Sequence, residues 1–124
     1  MKTIIAILFF FAMATNAFLQ DKKIEISKSV ITNFQQNEFL RITENFDSTM
    51  KAALPAEKLK QVWEQLNTQC GQFQKFTDIT TGKIQNYDVT YTLCSFAFVT
   101  LKMKLVFTDK NLITGLFFIP ENQK

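Results

Sequence analysis

The chain is predicted to be an α+β protein, with N-terminal helices packed on a curved four-stranded antiparallel sheet. Two observations predict it. The stretch FDSTMKAALPAEKLKQVWEQLNTQCGQF, Phe46 to Phe73, defines a helix from both ends. After Gln72 the apolar pattern changes to period two, and β-branched and aromatic residues rise. Helices followed by an uninterrupted run of strands imply segregated layers, with the helices on one side of the sheet.

The elements follow in order. Ser27 or Ser29 is placed to cap a first helix in which Val30, Ile31 and Phe34 share a face, and Gln36-Asn37 offers a break. Phe39, Ile42 and Phe46 make the inward stripe of a second helix. Asp47 then precedes Ser48-Thr49-Met50-Lys51, where its carboxylate can accept from the free N–H groups of a short helix. Pro55 suits a first helical position, where its missing N–H is harmless, and Gly71 suits a left-handed cap, so the main helix is expected from about Pro55 to Cys70. Leu59, Val62, Trp63, Leu66 and Cys70 form one stripe of it, and Glu57 favours the positive end of its dipole. In such a stripe a tryptophan is core rather than a binding platform.

The expected strands are Phe73–Thr80, Ile84–Phe96, about Leu101–Phe107 and Leu112–Ile119, with turns at Thr81-Gly82 and Asp109-Lys110-Asn111 and Pro120 closing the last. In the third, Leu101, Met103, Leu105 and Phe107 alternate with Lys102 and Lys104, giving one buried face and one solvated face. The connection near Ala97 to Thr100 lacks Gly, Asn, Asp and Pro, so the sequence leaves its turn and the facing of Phe96 and Phe98 open.

Residues 1–17 read as a secretory signal peptide: Lys2, an apolar run too short for a spanning helix, then small residues, with cleavage after Ala17 favoured over Ala14. Removal leaves 107 of 124 residues, a single domain (18–124) expected to be secreted or periplasmic, with no integral membrane span. Without Lys2, 13 basic residues face 11 acidic ones, scattered along the chain, and Arg41 is the sole arginine. Neither a nucleic acid nor an anionic membrane is an expected partner of so dispersed a charge. Cys70 and Cys94 are a candidate disulfide in an exported chain, yet both also suit small buried hydrophobes.

The chain contains no histidine, its carboxylates are spread singly and its three glycines are isolated. No catalytic triad, metal centre, cofactor site or phosphate loop is therefore expected, and no catalytic residue is assigned. Ten phenylalanines lie clear of the leader, enough to fill a small core at 150 Å² or more each, roughly. Phe96, Phe98, Phe117 and Ile119 would make a dimer face should they prove surplus to it.

The long stretch together with YDVTYTLCSF, LKMKLVF and ITGLFFIP resembles a bacterial domain-of-unknown-function family, number 3887. That family's pattern is matched by Phe46-Asp47, Met50-Lys51, Leu54-Pro55, Leu59, Trp63, Gly71, Phe73 and Gly115-Leu116-x-Phe118, across roughly Val30 to Pro120. Such domains resemble the cone-shaped nuclear-transport-factor-like superfamily, in which helices pack into a curved sheet and can leave a pocket. The resemblance implies no established activity; members occur alone or ahead of hydrolase domains, and this chain carries no hydrolase domain. Enzymes of that superfamily place an Asp, His or Tyr deep in the cone, for which Asp47, Asp88, Tyr87 and Tyr91 are the residues available here. Tyr91 shares strand parity with Val89 and Leu93 and is expected to point inward, making Tyr91, Trp63, Met103 and Phe107 the candidate pocket lining. The leading expectation is a noncatalytic exported domain binding a small apolar ligand or a protein. The alternatives are a structural module that self-associates through the sheet face and, behind it, a pocket acid/base enzyme.

Overall fold

The computed structural model describes residues 22–124, so the expected signal peptide lies outside the described residues. Helix α1 covers residues 22–35 and buries Ile26, Ser27, Val30, Ile31 and Phe34 along one stripe. Ser27 and Ser29 lie within the helix and cap nothing, contrary to expectation. The Ser27 hydroxyl donates back to the Lys23 carbonyl at 2.9 Å and meets Thr90 Oγ1 at 2.7 Å, so a partner on the sheet replaces the capping role. Since the Ser27 proton goes to Lys23, Thr90 is the donor of that pair. The break at Gln36-Asn37 is real: Asn37 takes φ +61° and Glu38 N–H bonds the Asn33 carbonyl at 2.8 Å.

Helix α2, Phe39–Thr43, turns Phe39 and Ile42 into the core. Helix α3, Ser48–Ala53, is capped by Asp47, whose Oδ1 accepts from Met50 N–H at 2.8 Å. Helix α4, Ala56–Gln69, starts one residue after Pro55 and buries Leu59 and Trp63. Beyond it Gly71 takes φ +83°, and Asn67 Oδ1 accepts from Phe73 N–H at 2.7 Å, which fixes the corner into the sheet.

Strands β1 (Phe73–Ile84), β2 (Tyr87–Phe96), β3 (Thr100–Phe107) and β4 (Ile113–Pro120) form an antiparallel meander in the order β1-β2-β3-β4. The expected turn at Thr81-Gly82 is instead strand, paired with Thr90 and Val89. The turn is Gln85-Asn86, with Gln85 at φ +55°, a conformation suited to tight hairpins. Gly82 sits within the strand, with the Tyr91 ring 3.6 Å from where a Cβ would stand, an ordinary packing distance.

The β2–β3 connection explains its own lack of turn residues. Ala97 N–H donates to the Gln72 carbonyl and Phe98 N–H to the Cys70 carbonyl, both at 2.9 Å. The tip is closed locally by Phe96 N–H donating to the Val99 carbonyl at 2.9 Å, and docking on the end of α4 holds it without the usual turn residues. Phe96 is buried below it, while Phe98 stands out in solvent.

All four described helices contribute to one apolar core with the inner face of the sheet, built on Phe34, Phe46, Leu59, Trp63, Met103, Leu105, Phe107 and Ile113. Irregular register in β1 and at the start of β4 bends the sheet around it. The arrangement is compatible with the cone-shaped superfamily.

Candidate functional site

The inner face of β2 is Asp88, Thr90, Thr92, Cys94 and Phe96, a sequence running from charged at the rim to aromatic at the apex. Helix α1 carries the matching gradient. Lys23 Nζ lies 3.4 Å from Asp88 Oδ2, and one helical turn on, Ser27 meets Thr90. Four helical residues rise about 6 Å and two strand residues about 6.6 Å, so the elements stay in step. The next step brings the apolar Val30-Ile31 level with Thr92, whose buried Oγ1 has no partner.

Tyr91 therefore points away from the core, which corrects the inward facing expected for it. Val89, Tyr91 and Leu93 are more apolar than the threonines between them, but the α1 hydroxyl makes a threonine face buriable. The four residues expected to line one pocket are not brought together. Met103, fully buried, and Phe107, 1 % exposed, are packed in the core. Trp63, 6 % exposed, stacks on Phe34 at 4.9 Å between ring centroids. Tyr91 is on the other side of the sheet. Trp63 does border a shallow hollow of about 260 Å³, shared with Gln35, Asn37, Glu64, Asn67, Gln72 and Phe73.

At the rim, a hollow of about 420 Å³ is lined by Lys23, Lys83, Asp88, Asp109 and Asn111 among others. Two of its lysines share one aspartate: Asp88 takes Lys23 on one oxygen and Lys83, 3.8 Å away, on the other, while Asp109 makes no ion pair among the described residues and the buried Asn111 Oδ1 has no partner. Of the residues open to acid/base work, Asp47 is committed to capping, and Asp88 and Tyr91 lie on opposite faces of β2. Among the described residues no group of three or more His, Cys, Asp and Glu gathers to hold a metal ion, and no helix is long and apolar enough to cross a membrane.

The bridge that the sequence leaves open between Cys70 and Cys94 is not formed; both are free thiols. Burial pushes the Cys94 thiol up from 9.0 to about 12, against a smaller lowering by the Met103 backbone hydrogen bond. The folded chain thus keeps a proton that the unfolded chain loses near pH 9, and stability is expected to fall as pH rises from 9 toward 12, with no contribution below 9. Urea midpoints measured across this range should drop more for the native chain than for Cys94→Ala. Equal drops would place the alkaline sensitivity elsewhere.

The outer face of the sheet is the surface that no described helix covers. Pairing sets Tyr91 beside Lys104 and Lys104 beside Phe117, with Leu93, Lys102 and Ile119 in the next row. Lys102 Nζ lies 5.4 Å from the Tyr91 ring centroid and Lys104 Nζ 5.7 Å from that of Phe117. Each ammonium rests on an aromatic face, a contact worth roughly 0.5–1 kcal/mol at exposed sites. Lys102 also donates to the Gln123 carbonyl at 2.9 Å. Phe117 remains 51 % exposed, and its ring shields Gly115, reaching within 3.0 Å of where a Cβ would stand. The outer positions of β2, β3 and β4 hold two lysines and no carboxylate. Sequence reading placed these lysines on a solvated face but missed their aromatic partners, because only strand register puts Tyr91 and Phe117 alongside them.

No curated protein and no solved structure matches the chain. Residues 27–116 match the family described as Protein of unknown function (DUF3887), and with most of its length inside that match the protein belongs to this family.

Proposed function

We propose that the protein is an exported, noncatalytic domain that binds an acidic partner protein through the outer face of its sheet. The observation that carries this reading is the uncovered Tyr91–Lys102–Lys104–Phe117 surface, apolar enough to be desolvated and of one charge sign. Export rests on the leader pattern of residues 1–17, and the N-terminal sequence of the exported protein should begin at Phe18. A small apolar ligand fits less well, because Met103, Leu105 and Phe107 fill the space a pocket would need. Self-association face to face fits poorly too: a two-fold axis through this patch would set Lys102 and Lys104 of both copies against each other, and the patch holds no carboxylate to separate them.

Poly-glutamate is a suitable probe. The double variant Lys102→Glu/Lys104→Glu is expected to bind it about tenfold or more weakly, at roughly 1 kcal/mol per reversed charge. Lys58→Glu/Lys60→Glu, on the exposed side of α4, should leave binding unchanged. Equal weakening by both pairs would mean a diffuse charge effect and would sink the site.

A further inference from the structure

The two edges of the sheet are built unequally. β1 carries Lys75, Asp78 and Lys83 and has register irregularities between Phe73 and Lys75 and between Phe76 and Ile79. Charges and bulges of this kind keep a further strand from adding to an edge. β4, with the sequence ITGLFFIP, has no charged residue; it is blunted only by one register irregularity between Ile113 and Gly115 and by Pro120 at the far end. Its near end already accepts a passing segment. Ile113 N–H donates to the Asn45 carbonyl at 2.7 Å, Asp47 N–H donates to the Ile113 carbonyl at 3.0 Å, and Phe46 bridges Ile113 in parallel. The chain then leaves the edge, because Asp47 begins α3. From Thr114 to Ile119 no other described strand lies along the outer side of β4.

We propose that this edge, Thr114 to Ile119, is the docking line for an extended acidic segment of a partner protein, which adds to the sheet as a fifth strand. The inference rests on the outer-face reading and gives the partner its conformation. Six edge residues span about 20 Å and leave backbone donors and acceptors free at alternate positions. Strand addition takes its affinity from those groups and its specificity from side chains on either face. On the outer face the added strand would lie next to Phe117, and Lys104, drawn over the Phe117 ring, leans toward that edge. A glutamate at the outer positions of the incoming strand would find that ammonium; an apolar residue would not. A second copy pairing through its own β4 brings no carboxylate, so the charge pattern favours a different chain.

The test uses a blocked octapeptide of alternating glutamate and valine, its lysine–valine analogue, and amide exchange read by NMR on the chain from Phe18 onward. The glutamate peptide is expected to bind about tenfold more tightly than the lysine peptide and to protect alternate amides between Thr114 and Ile119. Lys104→Glu, at a half-exposed position, should reverse the preference while leaving the circular dichroism spectrum unchanged. Poly-glutamate binding with unprotected β4 amides would overturn strand addition and leave the face-binding function standing, whereas failure of every acidic probe would overturn both. Equal binding of the two octapeptides would overturn the acidic preference. Binding to phosphatidylglycerol vesicles with neither octapeptide bound would replace the partner with a lipid surface. Protected β4 amides in the free protein, with a dimer mass, would replace it with a second copy.

Discussion

Trp63→Ala is expected to remove about 3–5 kcal/mol of folding stability, the range for truncating a large buried aromatic. Trp63 touches more of the core than a helix residue ordinarily does. Its ring stacks on Phe34 of α1 and lies 5.4 Å from Phe73 of β1, 5.9 Å from Phe96 of β2 and 6.3 Å from Phe118 of β4. Phe73 and Phe96 also pack edge to face, as do Phe34 and Phe118, so loss of the indole leaves a void bordered by rings already held by one another. Such a site collapses poorly, and poor collapse is what raises the penalty. A domain of this size has a total stability of roughly 5–15 kcal/mol, so the variant should sit near the threshold of folding. Urea unfolding should be followed by circular dichroism, because Trp63 is the sole tryptophan. Trp63→Phe should recover a large part of the loss. A change below about 1 kcal/mol for the alanine variant would show that the aromatic cluster is not what joins the helices to the sheet.

Gly71→Ala should destabilise by about 2–5 kcal/mol through two separable effects. At φ +83° a side chain strains the backbone by roughly 1–2 kcal/mol. In addition, the new Cβ would stand 2.7 Å from Ala97 Cβ and 3.1 Å from the Phe98 ring, an overpacking of roughly 1–3 kcal/mol. Ala97 belongs to the hairpin tip that bonds the Gln72 carbonyl, so the clash pushes β2–β3 off the end of α4. Ala97→Gly in the same chain removes the nearest atom in the way. The double variant is expected to recover part of the packing loss and none of the backbone strain. Full recovery, or none, in a double-mutant cycle would contradict this division.

How much of this was legible beforehand depended on whether a signal was local. The cap at Asp47, the Gly71 end of α4 and the break at Asn37 each depend on residues within a turn of one another and stand where local rules place them, and α4 begins one residue after the expected Pro55, which takes the extended N-cap position instead. The alternation of Leu101, Met103, Leu105 and Phe107 with the lysines was equally plain, since β3 puts one face on an apolar core. Ser27, the turn at Thr81-Gly82 and the facing of Tyr91 were misjudged for one shared reason. In each case a residue on another element decides the outcome: Thr90 takes the Ser27 hydroxyl, β2 pairs with Thr81 and Gly82 through Thr90 and Val89, and α1 makes the threonine side of β2 the inner one.

The candidate site divides along the same line. Sequence alone determined the α+β class, the order of helices before strands, the capped main helix with its buried tryptophan, and a residue inventory without histidine. These follow from periodicity, caps and composition, which a chain carries wherever its distant parts lie. Tertiary structure alone decided that the interior is filled, that Tyr91 and Phe117 lie under Lys102 and Lys104 on the outer face, and that the uncharged β4 stands at an edge of the sheet. Register and layer order bring together residues that are far apart in the chain, and a shift of one residue in any strand would send each of those side chains to the opposite face.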